Sequence, residues 1–274
     1  GYSLMLGNGS DELISMLAMA CDVPGASILA PVPGFVMYAM SAQLQGLKFI
    51  PVDLTPDFEL DERAMLAAIE EHRPSIVYLA YPNNPTANLW DDAVIERIVR
   101  AAPGLVVMDE AYQPFASRSY ADRLTRHGHV LLMRTLSKFG LAGVRIGYLI
   151  GLQALVSQVE KVRPPYNVSV LNCEAALFAL EHAEVFEAQA AELRRQRGLL
   201  LQRLEAMPGV KPWRSDANMI LVRVPDARGA FDGMKARGVL VKNVSTMHPL
   251  LANCLRLTVG TAEENEQMLA ALQA

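Results

Sequence analysis

Over roughly the first 165 residues, short apolar runs alternate with amphipathic segments, and that alternation admits few folds. Asp11 to Cys21 reads as a helix, with apolar residues at positions 13, 14, 17, 18 and 21. Ser27 to Ala30 reads as a short strand ended by Pro31 and Pro33, Gly34 to Leu44 as a helix and Lys48 to Val52 as a strand. Asp61 to Glu71 is a helix with an acidic first turn, Ser75 to Ala80 a buried strand and Asp91 to Ala101 a helix. Leu105 to Met108, Val130 to Met133 and Arg145 to Ile150 are further strands. Strands separated by helices of this length imply βαβ units, hence an α/β fold with a mostly parallel sheet flanked by helices.

After Gly151 the pattern changes. Leu152 to Val162 reads as a helix stopped by Pro164-Pro165, Ser169 to Glu181 as another, and Val185 to Met207 as a long charge-laced helix ended by Pro208-Gly209. Strands at Met219 to Val224, Val239 to Val241 and Leu255 to Val259, with helices at Arg228 to Arg237 and Ala262 to Leu272, predict a smaller C-terminal α+β domain. The expected division is 1–185 for the large domain and 186–274 for the small one.

A chain of 274 residues suffices for two such unequal domains. Its net charge of −4 gives no reason to expect nucleic acid or an acidic membrane surface as partner. Cys21, Cys173 and Cys254 are odd in number and far apart, so neither a disulfide framework nor a zinc site is indicated, and a reducing cytoplasm fits. The five histidines have no metal-like or triad spacing. No apolar run approaches the ~20 residues that span a bilayer. The chain opens on Gly1-Tyr2-Ser3-Leu4, close to a helix start and without an initiator methionine, so residues before Gly1 are expected.

In open α/β sheets, ligands bind beyond the carboxyl ends of the strands. Three consecutive strand ends here carry polar clusters: Tyr81-Pro82-Asn83-Asn84-Pro85-Thr86, Asp109-Glu110-Ala111-Tyr112 and Arg134-Thr135-Leu136-Ser137-Lys138. Lys138 stands among small residues with Arg145 seven positions on. A lysine that forms a Schiff base needs a fixed position and surroundings that favour its neutral amine. With Ser137 and Arg145 available for a phosphate, the segment suggests a phosphorylated aldehyde cofactor, pyridoxal phosphate being the obvious candidate.

Other positions fit the same chemistry, although each also has a plain structural reading. Leu6-Gly7-Asn8-Gly9-Ser10-Asp11-Glu12 is a glycine-rich turn feeding a helix N-terminus, either an anion site or a turn with Ser10 as cap. Asp109 could pair with a pyridinium nitrogen or cap a turn. Asn84, between two prolines, and Tyr112 could donate to a phenolate oxygen. Phe35 could stack on a ring or belong to the core. Arg256, inside the apolar Leu255-Arg256-Leu257-Thr258-Val259, needs an anionic partner, either a structural carboxylate or a substrate.

Taken in this order, these motifs resemble the fold-type I pyridoxal phosphate-dependent aminotransferases, and among them the histidinol-phosphate aminotransferases. The resemblance is anchored by Gly9-Ser10-Asp11-Glu12, the three strand-end clusters and Cys254-Leu255-Arg256-Leu257-Thr258-Val259-Gly260-Thr261. It implies that Lys138 holds the cofactor and moves protons, that Asp109 pairs with the ring nitrogen, and that Asn84 and Tyr112 hold the ring oxygen. Phe35 would cover the ring, while Ser10, Asp11, Ser137 and Arg145 would hold the phosphate. Arg256, Lys242 and Asn84 would meet the substrate. The implied reaction passes an amino group between histidinol phosphate and 2-oxoglutarate, or glutamate and imidazole acetol phosphate, in histidine biosynthesis. The partners are thus a small amino donor and a phosphorylated keto acceptor, in a cytoplasmic homodimer with a shared active site.

Four departures stand out. Ala87 replaces a glycine of many relatives, and alanine disfavours positive φ, so that turn is expected to differ. The Lys138–Arg145 connection is one residue shorter, and Lys242 stands where relatives often have arginine. The family's N-terminal arm, which closes over substrate and reaches the partner subunit, would lie before Gly1. An aromatic amino acid aminotransferase or a threonine-phosphate decarboxylase on the same fold stays open as an alternative. So does a ligand-sensing domain without turnover, although a basic patch is lacking.

Overall fold

A computed structural model of the chain describes residues 1–273. In chain order its elements are β1 (Tyr2–Asn8), α1 (Ser10–Ala20), β2 (Ser27–Val32), α2 (Met37–Gln45), β3 (Lys48–Asp53), α3 (Glu62–His72) and β4 (Ile76–Ala80). There follow α4 (Asp92–Ala101), β5 (Leu105–Asp109), β6 (Val130–Thr135), β7 (Ile146–Leu152), α5 (Gln153–Val159), α6 (Val170–Glu181) and α7 (Ala183–Glu205). The last are β8 (Lys211–Pro212), β9 (Met219–Arg223), α8 (Ala227–Ala236), β10 (Lys242–Asn243), β11 (Cys254–Thr258) and α9 (Ala262–Gln273).

The large sheet has the order β1-β7-β6-β5-β4-β2-β3. From β6 to β3 every pair is parallel, as the alternation requires. The strands of β4 are buried on both faces, which is why Ile76 to Ala80 reads as an unbroken apolar run. Val77 and Leu79 join α3 and α4 in one core through Met65, Ile69, Ile95 and Ile98. Ile76 and Tyr78 join α1, α2 and α5 in the other through Leu13, Leu17, Ala42 and Val156.

The sheet is mostly parallel, as expected, with its antiparallel pairs confined to one edge. β7 is antiparallel to β6, and β1 is antiparallel to β7. The link from Thr135 to Ile146 is too short for the crossover that a parallel strand needs, so the chain turns straight back. Arg145, at φ 52, makes the last bend into β7. Tyr2–Asn8, near which the sequence suggested a helix start, is an edge strand whose last residue leads into α1.

The second sheet, β10-β11-β9-β8, is antiparallel throughout. Ile220, Val222, Leu255 and Leu257 face a core closed by α7, α8 and α9. The alternate residues Leu221 and Cys254 pack instead into a core of the large sheet. The expected strand at Val239 to Val241 is not formed. The N–H of Val239 donates to the Met234 carbonyl and closes the end of α8, so pairing starts only at Lys242. The two-residue β8 carries too little pattern to be read from sequence.

Candidate active site

The antiparallel edge brings every relevant chain segment to one end of the large sheet. β2, β4, β5 and β6 end there, β7 begins there, and β1, running with β6, ends there too. Their exits carry Phe35, Asn84, Asp109, Lys138, Arg145 and Ser10-Asp11, while Lys242 and Arg256 come from the second sheet. A single cavity of about 260 Å³ is lined by Ser10, Asp11, Phe35, Asn84, Asp109, Tyr112, Ser137, Lys138, Arg145, Lys242 and Arg256. All the residues singled out from the sequence therefore meet in one place. Thr135, in the third strand-end cluster, lines it as well, and so does Tyr38, which the sequence does not mark out from an apolar segment.

At one end of the cavity lies an anion cradle. Gly9, at φ 78, is the N-cap of α1, and no side chain caps the helix start. Ser10 is thus the first helical residue rather than the cap, and the first-turn N–H groups stay available. Arg145 closes the cradle, with Nη1 donating to Ser137 Oγ at 3.4 Å and Nη2 3.6 Å from Asp11 Oδ2. Close packing dictates the glycines: a Cβ on Gly147 would lie 2.6 Å from both the Gly9 carbonyl carbon and the Ser10 nitrogen. Thr135 Oγ1 accepts the Ser137 N–H at 3.1 Å and so shapes the tight turn Leu136–Lys138.

Asp109 lies at the end of β5, 4% exposed. Oδ1 accepts the Ala111 N–H at 3.0 Å and Oδ2 accepts the Tyr38 hydroxyl at 2.6 Å. Burial pushes its carboxyl up to about 6, against those two hydrogen bonds, which pull it down. Lys138 is half-buried, with Nζ 5.4 Å from the ring centroid of Tyr112. Burial first, then the charge of Arg256, lowers its pKa, while Asp11 and Asp109 oppose that shift. Tyr112 is raised by burial, with Arg256 acting the other way.

The opposite side comes from β11. Arg256 alternates with Leu255 and Leu257, so their burial in the small core turns its guanidinium toward the large sheet. Nη1 donates to Asn84 Oδ1 at 2.8 Å, and Nε is buried without a partner. Lys242 is its register partner on β10 and is exposed. Behind Asn84 the backbone keeps the left-handed turn that alanine was expected to avoid. Ala87 holds φ 64, its N–H donating to the Asn83 carbonyl and its own carbonyl accepting the Asp216 N–H.

The cavity thus joins a cationic anion cradle, a buried carboxylate on one flank, an aromatic at Phe35, and a lysine poised toward its neutral form. That donor set fits a phosphorylated pyridine aldehyde: phosphate at the cradle, ring nitrogen at Asp109, aldehyde carbon at Lys138. Arg256, with an unpartnered N–H, would take a second anion. Among the described residues no cluster of His, Cys, Asp and Glu is placed to hold a metal, and no helix is long and apolar enough to cross a membrane.

A family model described as aminotransferase class I and II matches residues 2–272. The chain is similar to a histidinol-phosphate aminotransferase of Polaromonas naphthalenivorans, with 74% identity over 276 residues that span 100% of this chain and 76% of that relative. In fold it is similar to the histidinol-phosphate aminotransferase of Clostridium acetobutylicum, with a TM-score of 0.91 at 20% identity, covering 99% of this chain and 83% of the other. The Sinorhizobium meliloti histidinol-phosphate aminotransferase, solved in complex with pyridoxal-5'-phosphate, gives a TM-score of 0.87 at 25% identity, covering 98% and 76%.

Proposed function

This chain belongs to the aminotransferase class I and II family, and from that premise we propose that it transfers an amino group between histidinol phosphate and 2-oxoglutarate, a step of histidine biosynthesis, using pyridoxal 5'-phosphate. The observation that carries this is the single cavity in which Lys138, Asp109, Asn84, Tyr112 and Arg145 converge. The cofactor supplies an electron sink for the carbanion left when the substrate's α-proton departs.

The protein supplies the rest. Lys138 would hold the cofactor at its aldehyde group, and its neutral Nζ would take the proton from the substrate's α-carbon and carry it to the former aldehyde carbon rather than back. Asp109 keeps the ring nitrogen protonated, which is why a carboxylate is retained at a site where burial works against its charge. Asn84 and Tyr112, which line the cavity, would donate to the ring oxygen, and Phe35 would cover the ring. Ser10, Asp11, Ser137 and Arg145 anchor the phosphate. Arg256 and Lys242 receive the substrate's anionic group, the carboxylate of glutamate or the phosphate of histidinol phosphate.

The same reading includes a cytoplasmic homodimer with a shared active site and a division of the chain at about residue 185. A second copy is supported by the bare apolar side chains of α6, where Val170, Leu171 and Phe178 are 75%, 80% and 65% exposed. The division is supported by the two separate sheets, and the location by three free cysteines. Borohydride reduction of the chain with pyridoxal phosphate should fix the cofactor's mass on the peptide bearing Lys138, and glutamate-dependent turnover of imidazole acetol phosphate should exceed that of phenylpyruvate. A label elsewhere, or the reverse preference, refutes the proposal.

A further inference from the structure

The 2.6 Å hydrogen bond from Tyr38 to Asp109 has no counterpart in the roles above. Tyr38 is buried near the start of α2, one turn after Phe35. Its ring stacks on Tyr78 at 4.3 Å with planes 7° apart, and Phe35 meets it edge-on at 5.6 Å. These contacts leave the phenol no freedom to swing away from the carboxylate. Tyr78, by contrast, carries a buried hydroxyl with no partner. The stack is therefore satisfied by ring contact alone, and the Tyr38 hydroxyl is spent wholly on Asp109.

We propose that Tyr38 is a positioning residue that keeps Asp109 ionised and aimed, so that the carboxylate stands ready for the ring nitrogen before the cofactor arrives. A phenol has one proton to give, and it gives it to a carboxylate oxygen; a protonated Asp109 would compete for that place. Together with the Ala111 N–H on Oδ1, it fixes both oxygens and leaves only their remaining lone pairs facing the cavity. The surroundings make such a donor necessary. Asp11 of α1 and Glu110 beside it on the chain both disfavour the charge of Asp109, as does burial. Tyr78 of β4 and Tyr112 are neutral neighbours, and Lys138 past β6 is the nearby cation whose own pKa burial lowers. Tyr38 itself is held far on the protonated side by burial and by Asp109, so it acts only as a donor. In its bearing on the cofactor, this inference rests on the reading of Asp109 as partner of the ring nitrogen; its bearing on Asp109 does not.

The experiment compares Tyr38→Phe with Tyr78→Phe in the full chain. Each removes one hydroxyl from the same ring stack, but only the first removes a hydrogen bond. Without cofactor, the carbon-13 carboxyl titration of Asp109, assigned against Asp109→Asn, should move up by about one unit or more in Tyr38→Phe and stay in place in Tyr78→Phe. With pyridoxal phosphate followed by absorbance, the acidic limb of the affinity–pH profile should move up by the same amount in Tyr38→Phe alone. An unmoved Asp109 midpoint in Tyr38→Phe, or equal shifts in both variants, overturns the assignment. If the wild-type chain takes up no pyridoxal phosphate, the proposed function fails, and the carboxyl titration still decides the role of Tyr38.

Discussion

Arg256 on β11 donates to the side-chain oxygen of Asn84 beyond β4 at 2.8 Å, and so ties the second sheet to the strand ends of the large sheet across the cavity. With its oxygen engaged there, the Asn84 amide keeps its N–H groups for other partners, and both residues line the cavity. On the proposed reading, one guanidinium would both offer a charge to the substrate and orient a donor for the ring.

The two duties of Arg256 can be separated. Arg256→Gln keeps a neutral donor for Asn84 but loses the charge, whereas Arg256→Leu loses both. The glutamine variant should raise KM for glutamate by about 10–100-fold, the worth of a charge-assisted hydrogen bond, with cofactor affinity held within a few-fold. The leucine variant should lose cofactor affinity as well. Steady-state kinetics and an absorbance titration on both variants test this; equal cofactor affinity in the two would show that the Asn84 contact orients nothing.

The buried charge of Asp109 makes the unliganded chain less stable. Its carboxyl lies near 3.9 when unfolded and at about 6 when folded. As pH rises from about 4 to 6, the unfolded chain sheds this proton first, so stability falls across that window and stays lower above it, by roughly 3 kcal/mol at most. Asp109→Asn removes the charge but must turn its amide N–H toward Tyr38, leaving that hydroxyl proton without an acceptor. Urea unfolding without cofactor should therefore show the variant about 1–2 kcal/mol more stable at pH 7 and little changed near pH 4. A variant that is less stable at pH 7 would mean that the carboxylate is better solvated than its burial implies.

The parallel core of the fold was legible because buried strands and amphipathic helices carry different periods, and the site was legible because strand ends need no side-chain detail to be located. What escaped has physical causes. β1 and β7 run antiparallel because the link after Thr135 is short, a constraint on closure rather than on composition. Tyr38 escaped because a tyrosine in an apolar segment looks like core, and it is core; only its hydroxyl has a task. Ala87 shows a tertiary constraint outweighing a local preference, since the hydrogen bonds of Asn83 and Asp216 hold a left-handed turn that costs alanine about 1–2 kcal/mol.

The glycine at position 147 is required by a neighbour rather than by its own backbone angles. A methyl group there would lie 2.6 Å from the Gly9 carbonyl carbon and the Ser10 nitrogen, so the cradle itself must shift. Gly147→Ala should cost about 1–3 kcal/mol of stability. It should also shrink the preference for pyridoxal phosphate over unphosphorylated pyridoxal at least tenfold, because on the proposed reading the displaced N–H groups serve only the phosphate. Gly143→Ala, where an added methyl meets nothing within 4 Å, is the matched control. Binding of both ligands to both variants measures the ratio; an unchanged ratio in Gly147→Ala would place the phosphate elsewhere.

Lys138 takes its lowered pKa from burial and then from Arg256, with Asp11 and Asp109 pulling the other way. The neutral amine is the form that attacks a carbonyl, so the charges around it set how much of the chain reacts at a given pH. Removing a cation should raise the midpoint and removing an anion should lower it. The rate at which an amine-directed reagent labels Lys138 in the unliganded chain, read by peptide mass against pH, should show its midpoint shifted upward in Arg256→Gln and downward in Asp109→Asn. Both variants moving the same way would mean that a change in solvent access, rather than charge, governs the lysine.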